Sequence, residues 1–243
     1  MENSNRNPLI LGHRGSPKSQ IENTLESFQL AIEEGADGVE LDVHLTRDGK
    51  LVVFHDDTYL QQGFIKNMDA CDLPDFIPHL EEVLDLLGSK TVDIELKANP
   101  DSFGDFDEVY AHNLCQKLVE ILEKPSDCST LVTSFSIRTI DAFRSQLDKK
   151  AIRTGLLITP IDQGAVTGSQ IGAELMEKIK RSGHSWILPH RALLTKDLVE
   201  RSNEIGLDLG VWTVNDLDEA RIFIGLNVAA IITDVPKFVV GLL

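Results

Sequence analysis

Residues Leu9–Asp57 read LILGHRGSPKSQIENTLESFQLAIEEGADGVELDVHLTRDGKLVVFHDD. Two apolar runs in this stretch each end in a histidine, LILG in His13 and LVVF in His55. Between them, VELDVH sets two carboxylates into a strand-like run. Side chains alternate along a strand, so Glu40 and Asp42 share one face, and Val39, Leu41 and Val43 the other. Upstream, Leu25, Phe28, Ala31 and Ile32 fall at helical spacing, with Asn23 or Thr24 placed to cap the helix. Strand, helix and strand in immediate succession form a parallel βα unit.

The same alternation runs to the end of the chain. Strands are expected near 9–12, 37–43, 51–55, 91–97, 130–134, 153–158, 185–188, 208–214 and 229–233. Helices are expected near 24–34, 80–87, 106–123, 137–147, 171–182, 195–205 and 216–224. Gly88 and Gly206 stand just past two of the helical patterns, where left-handed helix ends favour glycine. Two α/β closures compete, an open doubly wound sheet and a (β/α)8 TIM barrel. The first turn, GHRGSP, lacks the G-x-G-x-x-G of dinucleotide-binding sheets. Eight βα units, with 51–55 as an extra strand, favour one barrel domain over 1–243. The irregular pieces 56–79 and 159–170 each follow a strand, which places them at the C-terminal mouth.

The net charge of −16 argues against nucleic acid or an anionic membrane as partner, since both need a positive footprint. No apolar run approaches the roughly 20 residues of a membrane span, so no stable membrane insertion is expected. The polar start MENSNRNP points to a cytoplasmic protein. Cys71, Cys115 and Cys128 have no C-x-x-C spacing and read as ordinary thiols.

In a barrel, the apolar face of VELDV turns to the helices and its acids turn inward. VDIELK repeats the pattern, with Val92, Ile94 and Leu96 on one face and Asp93, Glu95 and Lys97 on the other. Glu40, Asp42, Glu95 and Lys97 therefore converge near the barrel top. Carboxylates crowded away from water take up protons unless something compensates them. A divalent cation does so, and three hard oxygen donors suit Mg2+ or Ca2+ better than zinc. The competing reading is that the acids pair with Lys97 and Arg14. His13 and His55, just past strand ends, are placed as a general acid and a general base. His44, His79, His112, His184 and His190 are assigned structural or surface places, with His44 on the face opposite Asp42.

The segments GHRG, ENTLESF, GADGVELDVHLTRDGKLVVFHDDT, DIELK, VWTVND and IITDVP resemble, in order from residue 12 to residue 236, the motif series of the glycerophosphodiester phosphodiesterase family. The resemblance implies a TIM barrel that uses Mg2+ or Ca2+ to hydrolyse glycerophosphodiesters to sn-glycerol 3-phosphate and an alcohol. Carried over by position, His13 and His55 are the acid–base pair, and Glu40, Asp42 and Glu95 the metal ligands. Arg14 then binds phosphate, Lys97 lies beside metal and phosphate, Glu22 and Asn23 line the mouth, and Trp212 flanks the substrate.

The sequence departs from the family pattern after HDDT, where YLQQGFIKNMDACDLPDFIPHLEEVL is shorter than the usual insert. The substrate wall built by 56–79 therefore differs from that pattern. Tyr59, Leu60, Phe64, Ile65 and Phe76 in this segment leave room for a lysophospholipase D-type activity on a lipid-bearing substrate. A non-catalytic phosphodiester-binding barrel is the third reading. A degenerate barrel loses a histidine or an acid, and here all five positions are intact.

Overall fold

The computed structural model describes residues 7–98, 106–124, 126–147, 152–160, 166–167 and 170–243. The strands are β1 (Leu9–His13), β2 (Gly38–Leu45), β3 (Leu51–Val53), β4 (Thr91–Leu96), β5 (Ser129–Ser134) and β6 (Arg153–Ile158). They continue as β7 (Val166–Thr167), β8 (Gln170–Ile171), β9 (Trp186–Pro189), β10 (Asp208–Val211) and β11 (Ala230–Thr233). The helices are α1 (Leu25–Glu33), α2 (Leu80–Leu87), α3 (Glu108–Leu122), α4 (Ile137–Ser145), α5 (Ala173–Arg181), α6 (Lys196–Ile205), α7 (Leu217–Gly225) and α8 (Pro236–Val240).

Strands are hydrogen-bonded in the order β1-β11-β10-β9-β6-β5-β4-β2-β3, and β1 also pairs with β2, which closes the ring. All ring pairings are parallel, while β3 is antiparallel to β2 and stands outside the ring. This is the expected (β/α)8 barrel. Each ring strand is followed by a helix. Side-chain caps fix several helix starts, as where Thr24 accepts from the Ser27 N–H and Ser136 from the Thr139 N–H. Such a cap is worth about 1 kcal/mol.

Val39, Leu41, Val43, Val92, Ile94 and Leu96 join the large core between the ring and the helices. Inside the ring, Leu11, Leu131, Leu157, Trp186, Leu188, Ala230 and Ile232 form a second apolar cluster. These come from β1, β5, β6, β9 and β11, and the acids come from β2 and β4. The barrel interior is thus divided into an apolar sector and an acidic one.

The extra strand has a specific use. β3 runs back along the projecting end of β2, Val53 opposite Val43, and so returns the chain to the mouth at His55. The segment 56–79 then folds over it, with Val52, Ile65, Met68, Leu73 and Ile77 as a small core of its own. Val53 N–H donates to Pro78 O at 2.9 Å, which anchors the exit of the segment.

Most of 159–170 lies outside the described residues; β7 and β8 pair as an antiparallel ribbon. The short α8 was not expected, since five residues are too few to display a helical repeat. Strand β10 ends at Val211, short of the expected 214.

Candidate active site

β1 delivers His13 to the barrel mouth, and the loop after it is pinned to α1. Arg14 and Asn23 both adopt left-handed backbone, with φ of 55° and 57°. That conformation is uncommon for non-glycine residues and is held here by surrounding bonds. Arg14 N–H donates to Glu40 O at 2.9 Å and also lies 3.1 Å from Glu40 Oε2. Asn23 N–H donates to Arg14 O at 3.0 Å, and Ser27 Oγ donates to the same oxygen at 3.0 Å. Gly15 between them has φ 92°, and a Cβ there would lie 2.3 Å from Ser27 Oγ. The loop can sit this tightly on α1 only with glycine.

The buried Asn23 turns its amide to Asp42, donating from Nδ2 to Oδ2 at 2.8 Å. Of the two candidate caps of α1, Thr24 is the one used. Asn23 instead holds one oxygen of Asp42.

Glu40, Asp42 and Glu95 are buried, and each offers an oxygen within 4.8 Å of the others. Lys97 Nζ lies 3.0 Å from Glu95 Oε1 and 3.4 Å from Asp42 Oδ1. Arg14 Nε lies 3.4 Å from Asp42 Oδ2, and its Nη1 3.0 Å from Glu22 Oε1. The competing readings of the acids are therefore combined, since they form a trio and also touch two cations.

Ionisation within the trio is unequal. Burial, then repulsion from Asp42, Glu95 and Asp93, pushes the Glu40 carboxyl well above its ordinary range. Burial pushes Glu95 up to about 8 against the pull of Lys97. Burial also works on Asp42, but Lys97, Arg14, His55 and the Asn23 bond outweigh it and hold that carboxyl below its ordinary value. Two cations are thus too few for the carboxylates gathered here, and a further positive charge fits. Among the described residues, Asp42 Oδ1 is buried and accepts no hydrogen bond, its one charged contact being Lys97 at 3.4 Å, and it faces the group where that charge would sit.

Two inward side chains change the expected picture. Asp93 is fully buried; its Oδ1 accepts from Thr133 Oγ1 at 2.8 Å, and burial pushes its carboxyl up to about 7. Its Oδ2 has no hydrogen-bond partner. His44 is not on the face opposite Asp42. β2 continues unbroken through Leu45, and Val43 faces the helices, so His44, two residues after Asp42, lies on the Asp42 side. There it is buried, with Nε2 3.4 Å from His55 O, and burial, followed by the charge of Lys97, lowers its pKa to about 4.

His13 and His55 both line a cavity of about 90 Å³ with Arg14, Glu40 and Glu95. Phe135, Leu157, Trp212 and Ile232 complete the lining. Trp212 Nε1 donates to Leu188 O at 2.7 Å, so the indole offers its ring to the cavity. Phe135 and His190 both stand edge-on to that ring, with centroids 5.3 and 5.2 Å away. Glu22, Asn23 and Lys97 are not in the cavity lining; Glu22 and Lys97 touch the lining residues Arg14 and Glu95, and Asn23 touches Asp42. Phe135 and the His13 partner Asp234, 2.6 Å from Nδ1, were absent from the expected site. Asp234 lay in plain view in IITDVP; Phe135 had no comparable signal.

The profile of the Glycerophosphoryl diester phosphodiesterase family matches residues 13–238. This chain belongs to that family. It is accordingly an enzyme, a hydrolase of phosphoric diesters. A glycerophosphodiester phosphodiesterase of Caldanaerobacter subterraneus subsp. tengcongensis is 29% identical over 255 residues, covering 96% of this chain and 97% of its own. The crystal structure of glycerophosphodiester phosphodiesterase from Thermotoga maritima superposes with a TM-score of 0.78 at 28% identity, covering 98% of this chain and 99% of that one. An Oleispira antarctica phosphodiesterase, solved with its product sn-glycerol-3-phosphate, shares the fold with a TM-score of 0.81 at 23% identity, covering 97% and 96%. The family is generally dependent on divalent cations, in keeping with the acid trio.

Proposed function

We propose that this family member hydrolyses small glycerophosphodiesters to sn-glycerol 3-phosphate and an alcohol, with His13 and His55 as the acid–base pair. Glu40, Asp42 and Glu95 would hold one divalent cation, Mg2+ or Ca2+. The observation that carries the reading is that both histidines line one cavity together with Glu40 and Glu95. The product held by the Oleispira antarctica neighbour supports the identity of the phosphate product.

A bound cation would supply Lewis-acid neutralisation of a phosphoryl oxygen. The chain's own residues do the rest. Arg14, braced by Glu22, presents a cation at the cavity for the phosphodiester. Burial opposes its charge, but Asp42, Glu40 and Glu22 outweigh that and hold its pKa above the ordinary value. Lys97 draws together Asp42 and Glu95. One histidine takes the proton of the attacking hydroxyl or water, and the other gives a proton to the departing alkoxide. The apolar lining residues Phe135, Leu157 and Trp212 limit water in the cavity.

The lysophospholipase D-type reading has one observation in its favour. Leu60, Phe64 and Phe76 of the 56–79 segment are exposed, at 74%, 51% and 45%, as is Ile21 of the β1–α1 loop at 65%. No helix among the described residues is long and apolar enough to cross a membrane. Work on water-soluble diesters in the cytoplasm is the reading we adopt. The deciding test is a product-resolved assay on glycerophosphocholine, glycerophosphoethanolamine and a lysolipid at matched concentration, with and without chelator. Metal-dependent release of glycerol 3-phosphate from the first two at comparable rates is expected. Preference for lysolipid moves the assignment to the second reading, and phosphocholine as product overturns the cleavage site.

A further inference from the structure

We propose that Asp234, clamped by Asn215, is the positioning residue that fixes the tautomer and rotation of His13, a role that rests on the reading of His13 above. The two residues belong to IITDVP and VWTVND, and neither has so far been given a part in the reaction.

The contact follows from barrel closure. β1 pairs with β11 in a register that sets Gly12 beside Thr233. The next residues, His13 at the end of β1 and Asp234 just past β11, stand side by side although 221 positions separate them in sequence. Asp234 Oδ1 lies 2.6 Å from His13 Nδ1. An ionised carboxylate only accepts, so Nδ1 must carry the hydrogen. In the neutral ring Nε2 is then the bare nitrogen, and it is the one turned to the acid trio, 3.9 Å from Glu40 Oε2.

Asp234 is itself held at three points. Asn215 Nδ2 donates to Oδ2 at 2.6 Å, while Asn215 Oδ1 accepts from the Asp234 N–H at 2.8 Å. Lys18 Nζ lies 3.8 Å from Oδ2. Burial works against the charged carboxyl, but His13, Asn215 and Lys18 outweigh it and keep its pKa below the ordinary value. His55 is held differently. Its Nδ1 partner is Asp56, its neighbour in sequence, whose side chain is 69% exposed. One ring is thus braced by the barrel seam, and the other by a solvated loop.

The clamp makes a sign prediction for Asp234→Asn. Asn215 Nδ2 is a donor, so the new amide must turn its oxygen toward Asn215 and its NH2 toward His13. Nδ1 then becomes an acceptor, and the hydrogen moves to Nε2, the nitrogen that must be bare to take a proton and must regain one to give it. A tautomer inversion of this kind in a hydrolase triad costs about 10⁴-fold. Because Asp234 is partly exposed, we expect on the order of 10²-fold in kcat.

The experiment compares His13→Ala, Asp234→Asn, Asn215→Ala and Asp56→Asn by steady-state kinetics on glycerophosphocholine, Mg2+ titration, thermal melting and 15N NMR of the histidine tautomers. Asp234→Asn should lose kcat with little change in KM or Mg2+ affinity, and should convert the His13 signal to the Nε2–H form. Asn215→Ala should do the same more weakly, and Asp56→Asn least. If His13→Ala is inactive while Asp234→Asn keeps near-normal kcat and the Nδ1–H tautomer, the positioning role is wrong and the reading of His13 stands. If His13→Ala itself remains active, the reading of the reaction fails first. Loss of kcat in Asp234→Asn with an unchanged tautomer also overturns the proposal, because the effect then lies in packing.

Discussion

The two ends of the barrel differ in a way that size alone would misread. At the N-terminal end lies a cleft of about 770 Å³, lined among others by Arg153, Lys196, Glu200, Glu204 and Asp208. At the C-terminal end the cavity beside the acid trio is about 90 Å³. The larger opening carries charges that water can solvate. Its Lys196 and Glu200 are exposed and form a helical i,i+4 pair at 3.3 Å. The smaller one brings together Glu40 and Glu95, each 5% exposed, beside the fully buried Asp42. A site is marked by charge held where water cannot relieve it, because such charge must be compensated by a ligand or a proton.

The largest effects should therefore come from the trio. Glu40→Gln or Glu95→Gln removes a carboxylate from the group, and each should lower activity by about 10³-fold or more through lost metal charge. Calorimetric Mg2+ titration should show weakened binding, and the thermal shift that metal gives the parent protein should shrink. An active, metal-free Glu40→Gln variant would overturn the contrast between the two ends. Next in size come His13→Ala and His55→Ala, each expected to cost about 10²-fold or more in kcat. Both residues stand at the mouth and outside the core clusters, so melting temperatures should hold. A variant with near-normal turnover would make that histidine structural.

The buried acids also predict a pH effect in chelated protein. Glu95 is pushed up to about 8 and Asp93 to about 7, from ordinary values of 4.5 and 3.8. Glu40 moves in the same direction. Between the ordinary and the folded values, the native state keeps protons that the unfolded chain has released. Raising the pH through that interval therefore costs stability, and the loss levels off above the folded values. Below pH 6.5 His44, His184 and His190 oppose this, since their folded values are lowered, chiefly by burial. From pH 6.5 to 8 that opposition fades as the unfolded histidines lose their protons, and the acids dominate. The melting temperature of chelated protein should fall across that range. Metal-induced stabilisation should grow across it, because the ion displaces the same protons. A melting temperature that rises from pH 6.5 to 8 without metal would contradict the burial of the trio.

How much of this was legible in the chain depended on contrast within each strand. β2 and β4 alternate acid with aliphatic, so their inward faces could be read directly, and Glu40, Asp42 and Glu95 stand together as expected. Runs such as LLI in β6 and WILP in β9 are apolar on both sides, and nothing in them says which residues enter the ring. Leu157, Leu188 and the neighbouring Phe135 wall were hidden for that reason. The residue Asp234 stood in a visible motif, but its pairing with His13 was hidden by distance, because that contact exists only once the first and last strands meet. Asn23 and Thr24 are both good caps, and only the position of Asp42 decides between them. The error over His44 was one of face, corrected by following β2 two residues further than expected.

The smallest predicted effect tests the other half of the comparison. Lys196→Ala at the N-terminal cleft removes a cation whose side chain is 75% exposed. Its pair with Glu200 lies on the first turns of α6, and exposed helical pairs of this kind contribute about 0.3–0.5 kcal/mol. The capping bond from Leu198 N–H to Thr195 Oγ1 is untouched. Kinetic constants should therefore stay within about twofold, and stability within about 0.5 kcal/mol. The measurement is kcat and KM on glycerophosphocholine beside urea unfolding, with Lys97→Met as the paired variant at the other end. Lys97 is 10% exposed and touches two buried carboxylates, so its removal leaves Asp42 and Glu95 without their shared cation. The paired loss should be large in activity and evident in stability. If instead Lys196→Ala lowers turnover tenfold while Lys97→Met is tolerated, volume rather than buried charge marks the working end of this barrel.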